Sequence, residues 1–304
     1  MPTQLTNTVL MVAPTRFGFN PEAFLTNSFQ NQPKEDALKT QAKALEEFNG
    51  FVAKLRDVGV EVLVFEDLPN STTPDSIFPN NWFSTHQSGE LITYPMAVPN
   101  RRAERRSDII ESLVNQYRYS HIALEKHEAD EAFLEGTGSL LFDHSNKVVY
   151  AAISPRTNAQ ILEEVAQILG YNVVAFESFG KSGELIYHTN VMLCIGDSFI
   201  AIGMDTIAAK DQQKVEVQLE KSGKEIIILS NDQIYEHFAG NMLQVLNSRG
   251  EKVLVLSEAA FQSLRPDQLN QFQKHTDHFV RAEIPTIEFV GGGSARCMMA
   301  EVFI

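Results

Sequence analysis

Cysteine is scarce: the 304 residues hold two, Cys194 and Cys297. That excludes a disulfide framework and any CxxC pair for zinc or redox exchange. It fits a reducing compartment, so a cytoplasmic location is expected. Positive charge is in deficit, with 25 Lys+Arg against 39 Asp+Glu and a net charge of −14. Such a balance argues against nucleic acid or an anionic membrane surface as a partner; simple solubility is the plainer meaning of the acidity. Long hydrophobic runs are also missing. The start Met1-Pro2-Thr3-Gln4 has no basic segment, and Val9-Leu10-Met11-Val12-Ala13 is too short for a secretion signal or a membrane span. What remains is ordinary globular composition, 43% hydrophobic and 21% charged. A chain this long can bury a large core unaided, and length alone suggests about two domains.

Periodicity revises that domain count. Thr8 to Pro14 reads as a strand, Thr15 to about Pro33 as an irregular loop long enough to be a lid, and Glu35 to about Val58 as a helix with Leu38, Ala42, Leu45, Phe48, Val52 and Leu55 on one face. Val60 to Phe65 is the next strand, and Asn70 to Asn81 the next loop. A unit then recurs: hairpin, helix, strand. The hairpins start at 82, 139, 191, 242 and 297, with spacings of 57, 52, 51 and 55 residues. Their helices are predicted over 103–117, 158–169, 207–221 and 258–274, the last broken near Pro266, and their closing strands over 121–124, 172–176, 225–229 and 286–289. A steady period near 50 residues signals a repeat architecture. The fifth unit opens at Cys297 and lacks its second strand, helix and third strand, which the chain start supplies in that order. The expected fold is therefore α/β: a five-bladed α/β propeller of ββαβ repeats, its ring closed by the N-terminal strand, in one domain spanning 1–304. Closure hides the edge strands at the seam.

In each repeat the residues just before the first hairpin strand are equivalent and should lie near the central axis. They are Asn80-Asn81, Glu135-Gly136-Thr137-Gly138, His188-Thr189-Asn190, Gly240-Asn241 and Arg296-Cys297. Three of the five supply a carboxylate, an imidazole and a thiol. Cys297 follows the flexible Gly291-Gly292-Gly293, where the backbone can approach a ligand closely. A thiol beside an imidazole is an activated nucleophile with a proton shuttle, and Glu135 can steady the imidazole or bind substrate nitrogens. The plain alternatives are a buried apolar Cys, a satisfied core His and a solvated Glu. One Cys, one His and one Glu are a thin set for a metal, so neither metal nor cofactor is expected. Cys194, in an apolar strand, reads as core.

The motifs Pro74-Asp75-Ser76-Ile77-Phe78-Pro79-Asn80-Asn81-Trp82, Leu134-Glu135-Gly136-Thr137-Gly138-Ser139, Ser154-Pro155-Arg156-Thr157-Asn158, Tyr187-His188-Thr189-Asn190 and Gly291-Gly292-Gly293-Ser294-Ala295-Arg296-Cys297, in this order, resemble the guanidine-modifying superfamily over nearly the whole chain. That superfamily includes arginine deiminases, dimethylarginine dimethylaminohydrolases, amidinotransferases and citrulline-hydrolysing relatives. The resemblance implies a five-bladed α/β propeller (pentein), a small amino-acid substrate and a homodimer. It implies that Cys297 is the nucleophile, His188 the general acid/base and Glu135 the acidic member of the set. Asp75 and Phe78 would line the substrate pocket, and Arg101 and Arg156 would grip the substrate α-carboxylate, which an Arg fork suits. Residues 15–31 match the place of a lid loop.

Two departures point to the substrate. Arginine deiminases and dimethylarginine hydrolases carry an acidic residue where Asn81 stands, and the former carry Asp where Asn190 stands. An amide removes charge and adds N–H donors. A guanidinium offers donors alone, whereas a neutral ureido group also offers a carbonyl acceptor. Asn81 and Asn190 therefore favour citrulline, hydrolysed to ornithine, carbon dioxide and ammonia. The rival readings are arginine or methylarginine hydrolysis, amidino transfer, and a non-catalytic amino-acid-binding propeller.

Overall fold

The computed structural model describes residues 3–68 and 71–304. Met1-Pro2 at the chain start and Asn70, read above as opening a loop, lie outside them. β1 (Thr8–Ala13) and β2 (Glu61–Glu66) run parallel in full register, joined through the helix Ala37–Asp57. The repeat unit then appears four times, as an antiparallel hairpin, a helical connection and a third strand parallel to the hairpin's second. The strands are β3 (Phe83–Thr85), β4 (Glu90–Thr93) and β5 (Ser120–Ala123); β6 (Leu141–Asp143), β7 (Val148–Ala152) and β8 (Asn172–Phe176); β9 (Leu193–Ile195), β10 (Phe199–Ile202) and β11 (Glu225–Ile228); and β12 (Leu243–Leu246), β13 (Lys252–Ser257) and β14 (His278–Ala282). Last, β15 (Ala300–Glu301) pairs antiparallel with β1 through Leu10↔Ala300 and Val9↔Glu301. The sheet β15-β1-β2 is thus built from both chain ends, and the described residues hold five three-stranded sheets that match the five repeats.

The middle strands are mostly apolar because both their faces are covered; β1, β7 and β10 are buried along their whole length. Asn158 accepts from the backbone of Gln160 and Ile161, and Gly170 ends that helix in the left-handed region. Ahead of four of the five first strands stands one short helical turn: Pro79–Asn81, Gly136–Ser139, Thr189–Val191 and Ala295–Met298. These turns touch one another, and β15 touches β3, β6 touches β9 and β9 touches β12.

Several expectations need correction. The strand placed at 286–289 is a helix, Pro285–Gly291, and the fourth sheet closes with β14 instead. Thr-Ile-Glu-Phe mimics strand alternation over four residues, but Pro285 stands at the first turn, where proline favours a helix. The helix placed at 103–117 is two pieces, a 3-10 segment Pro99–Glu104 and a helix Ser107–Tyr117. Cys297 sits in the turn Ala295–Met298 rather than at a strand start, and only Ala300–Glu301 of the terminal run pairs. The buried stripe of the long helix is Thr40, Ala44, Phe48, Phe51, Val52 and Leu55. Leu38, at 83% exposure, and Leu45, at 37%, lie off it, since the stripe follows the i, i+4, i+8, i+11 positions from Thr40 and Leu38 falls outside them.

If the seam strand carries the fifth sheet, Leu10→Ala should lower the unfolding free energy by about 2–5 kcal/mol. Leu38→Ala should change it by less than about 0.5 kcal/mol. Urea titration of the two variants measures both.

Candidate active site

Glu135 ends the strand-like approach to the turn Gly136–Ser139 and is fully buried. Its Oε2 lies 2.8 Å from His188 Nε2, 3.4 Å from Arg156 Nη1 and 3.9 Å from Arg101 Nη1, while Oε1 accepts from the Ala97 N–H at 3.0 Å. Burial alone would raise its pKa, but Arg156, the His188 hydrogen bond and Arg101 together hold it well below the ordinary carboxylate range. Glu135 is therefore a fixed anion. Because it accepts from Nε2, the neutral His188 ring carries its proton there and keeps Nδ1 free. Burial pushes the imidazole down to about 4, against the upward pull of Glu135. The ring fits because of two glycines. A Cβ on Gly138 would stand 2.8 Å from His188 Nδ1 and 2.7 Å from Asn81 Nδ2, and Gly136 adopts φ +45° with its α-carbon against the Asn80 carbonyl.

Cys297 is 3% exposed. Its Sγ accepts from Asn241 Nδ2 at 3.3 Å and from Asn190 Nδ2 at 3.4 Å. Asn190 Oδ1 is buried and has no hydrogen-bond partner among the described residues. Asn81 Oδ1 accepts from Arg101 Nη1 at 2.9 Å. Arg101 is buried and forms a two-pronged pair with Glu104, 2.9 Å on each prong. Burial, opposed by Arg101, leaves the Glu104 carboxyl up at about 7. Asp75 Oδ2 lies 3.8 Å from Arg101 Nε and accepts from Asn20 Nδ2 at 2.7 Å; burial raises its pKa, with Arg101 opposing.

The loop 15–33 closes over this group. Asn20 caps the short helix Pro21–Phe24 while holding Asp75. Arg156 donates to Thr26 Oγ1 at 2.7 Å and to the Ala23 carbonyl at 3.1 Å. Asn27 and Gln30 bond the Gly291 carbonyl. One cavity of about 10 Å³ remains, with Cys297, His188, Asp75, Phe78, Asn81, Arg101 and Arg156 on its wall beside Gly291–Gly293. That holds about one water. Asn190 touches the sulfur from behind the wall. A larger depression of about 570 Å³ lies across the segment 28–31, beside Phe29, Lys181 and Glu236, and has neither His nor Cys on its wall. Among the described residues no three His, Cys, Asp or Glu are grouped to hold a metal ion, and no helix is long and apolar enough to cross a membrane. Both cysteines are free.

The structure thus brings the sequence-predicted site residues together, Glu135 and Asn190 just outside the cavity wall and the rest on it. It adds Asn241, Glu104 and the loop residues Asn20, Thr26, Asn27 and Gln30. Asn241 was signalled by its repeat-equivalent position and the loop residues, as a segment, by the lid expected over 15–31; Glu104 carried no sequence signal.

The profile of the family described as N,N dimethylarginine dimethylhydrolase, eukaryotic, matches residues 13–304. The chain belongs to this family. The resemblance to guanidine-modifying enzymes therefore stands at family level. No curated protein sequence matches the chain. Among solved structures, the N-terminal domain of ArgZ, a cyanobacterial arginine dihydrolase, bound to substrate as a Cys-to-Ser mutant, superposes with a TM-score of 0.74 at 15% identity, covering 98% of this chain and 99% of that domain. The chain spans 40% of the length of ArgZ in its apo structure. A dimethylarginine dimethylaminohydrolase carrying a chloropyridine adduct gives a TM-score of 0.66 at 17% identity, covering 99% of this chain and 100% of that one. At such identities the likeness is one of fold.

Ring-carbon NMR of His188 checks the electrostatics of this family member. No inflection is expected between pH 8 and 5. Glu135→Gln, which removes the group favouring the imidazolium, should lower the midpoint further. A midpoint above 6.5 would contradict the geometry.

Proposed function

We propose that the chain is a cysteine-dependent hydrolase of C–N bonds in ureido and guanidino amino acids, acting first on citrulline. The supporting observation is one small cavity that carries both Cys297 and His188, with Glu135 2.8 Å behind the imidazole. The five sheets read as blades of a closed α/β propeller, and 1–304 as a single catalytic domain. The β15–β1 pairing and the mutual contacts of the axial turns support that reading.

In this reading the loop 15–33 withdraws to admit substrate, since a cavity of about 10 Å³ cannot hold an amino acid. Arg101 and Arg156 receive the α-carboxylate, Arg156 exchanging its bonds to Thr26 and Ala23 for it. Phe78 supplies an apolar wall and Asp75 a carboxylate for a cationic group. Asn81 faces the neutral head from the cavity wall, and Asn190, whose Oδ1 has no partner among the described residues, backs the sulfur from just outside that wall. His188 Nδ1 takes the thiol proton, and the resulting imidazolium is paired by Glu135. The Cys297 thiolate attacks the ureido carbon. His188 then gives its proton to the side-chain nitrogen as the C–N bond breaks and ornithine leaves. Next it takes a proton from water, whose oxygen attacks the S-carbamoyl carbon and restores the thiolate. The released carbamate falls apart to carbon dioxide and ammonia.

A guanidino substrate is the second reading. It is favoured by Asp75, a carboxylate on the cavity wall, and by the family's own description. Steady-state ammonia and ornithine release across citrulline, arginine and methylated arginines separates the two. Citrulline is expected to be best, and Cys297→Ser to lose about 10³-fold or more in kcat with the fold intact. Arginine as the best substrate would move the reading to guanidine chemistry. No turnover on any of the panel would remove the hydrolase assignment.

A further inference from the structure

Asn241 is not on the cavity wall, but it bonds the Cys297 sulfur that is. It comes from the fourth repeat, whose tight turn Gly240-Asn241 replaces the helical turn used by the others. Gly240 packs against the Val191 carbonyl, and a Cβ there would stand 2.7 Å from Met192 Cα. Without a side chain at 240, the turn lies flat on the third repeat and delivers Asn241 to the sulfur.

Asn241 is bonded at both ends of its amide. Oδ1 accepts from the Cys297 backbone N–H at 3.4 Å, while Nδ2 donates to the Asn190 carbonyl at 3.0 Å and to Cys297 Sγ at 3.3 Å. The orientation is forced by its neighbours. The Cys297 N–H, bonded chiefly to the Ser294 carbonyl at 3.0 Å, also faces Oδ1, and the Asn190 carbonyl accepts from Nδ2, so a flipped amide would set donor against donor and acceptor against acceptor. One Nδ2 hydrogen therefore serves the carbonyl and the other points at sulfur. Asn190 Nδ2 approaches the same sulfur at 3.4 Å. Two N–H donors converge on one Sγ, and a sulfur that accepts two donors is better matched as thiolate than as thiol.

We propose that Asn241, with Asn190, forms a two-amide cradle that stabilises the Cys297 thiolate, so that Asn241 is a sulfur-binding residue of the reaction. The proposal rests on the hydrolase reading for its purpose, but its test reads the thiol alone. The cradle is neutral. It favours the thiolate without a cation that would repel a positively charged substrate.

The test is the pH profile of iodoacetamide alkylation at Cys297 in the full chain, followed by peptide mass spectrometry so that the buried Cys194 is scored separately. Asn241→Asp keeps an oxygen for the Cys297 N–H, removes both N–H donors and sets a like charge beside the sulfur. Asn241→Ala removes the whole contact. Asn241→Asp is expected to raise the alkylation midpoint by about one pH unit or more, which is about a tenfold slower reaction below it. Asn241→Ala is expected to shift it in the same direction. If Asn241→Ala fails to fold, Asn241→Asp carries the test, with its melting curve as the fold control. Folded variants whose alkylation profiles overlay the unsubstituted chain would overturn the proposal. A shifted profile in a chain that turns over none of the ureido or guanidino panel would keep the cradle and dismiss the hydrolase reading instead.

Discussion

A single buried carboxylate organises the centre of this molecule. Glu135 has no access to solvent, and its charge is sustained by Arg156, His188 and Arg101 within 4 Å. Removing one member of such a group leaves an uncompensated buried charge, which costs several kcal/mol. The cluster therefore acts as one unit. Glu135 fixes the tautomer of His188, orients Arg156, and through Arg156 reaches Thr26 and Ala23 in the loop that closes the site. The chemistry proposed for the cavity and the closure above it share that anchor.

The repeat explains how distant residues arrive there. Just before its first strand each repeat places the residues that gather at the site, and at four of the five places they form a short helical turn. These turns touch one another while the residues that follow them enter the sheets. The division of labour follows: the sheets bury apolar runs on both faces, and the short turns are free to carry polar groups. Glycines at 136, 138 and 240 let the turns approach one another where a Cβ would not fit. The fold and the site are thus two consequences of the same spacing near 50 residues.

That spacing was legible from the chain alone, because hairpins with alternating or wholly apolar strands recur at near-equal intervals. So were Glu135, His188 and Cys297, each at an equivalent slot. The clear misreadings came where the apolar pattern is ambiguous. Thr286 to Phe289 alternates like a strand but follows Pro285 into a helix, and the face of Ala37–Asp57 was drawn through Leu38 and Leu45, which the packing leaves outside. The polar second partners were invisible for another reason. Glu104 clasping Arg101, Asn20 clasping Asp75 and Thr26 clasping Arg156 depend on side-chain directions and on loop closure, and no periodicity encodes either. Asn241 stands between these cases: its slot was legible, its grip on the sulfur was not.

The most direct measurement is a crystal structure of the chain frozen during slow turnover of citrulline or arginine. Density running unbroken from Cys297 Sγ into the former ureido or guanidino carbon, with His188 beside it and Glu135 still on Nε2, is the expected result. A ligand held in the wide depression beside Phe29 and Lys181, with a bare sulfur in the small cavity, would contradict the central claim.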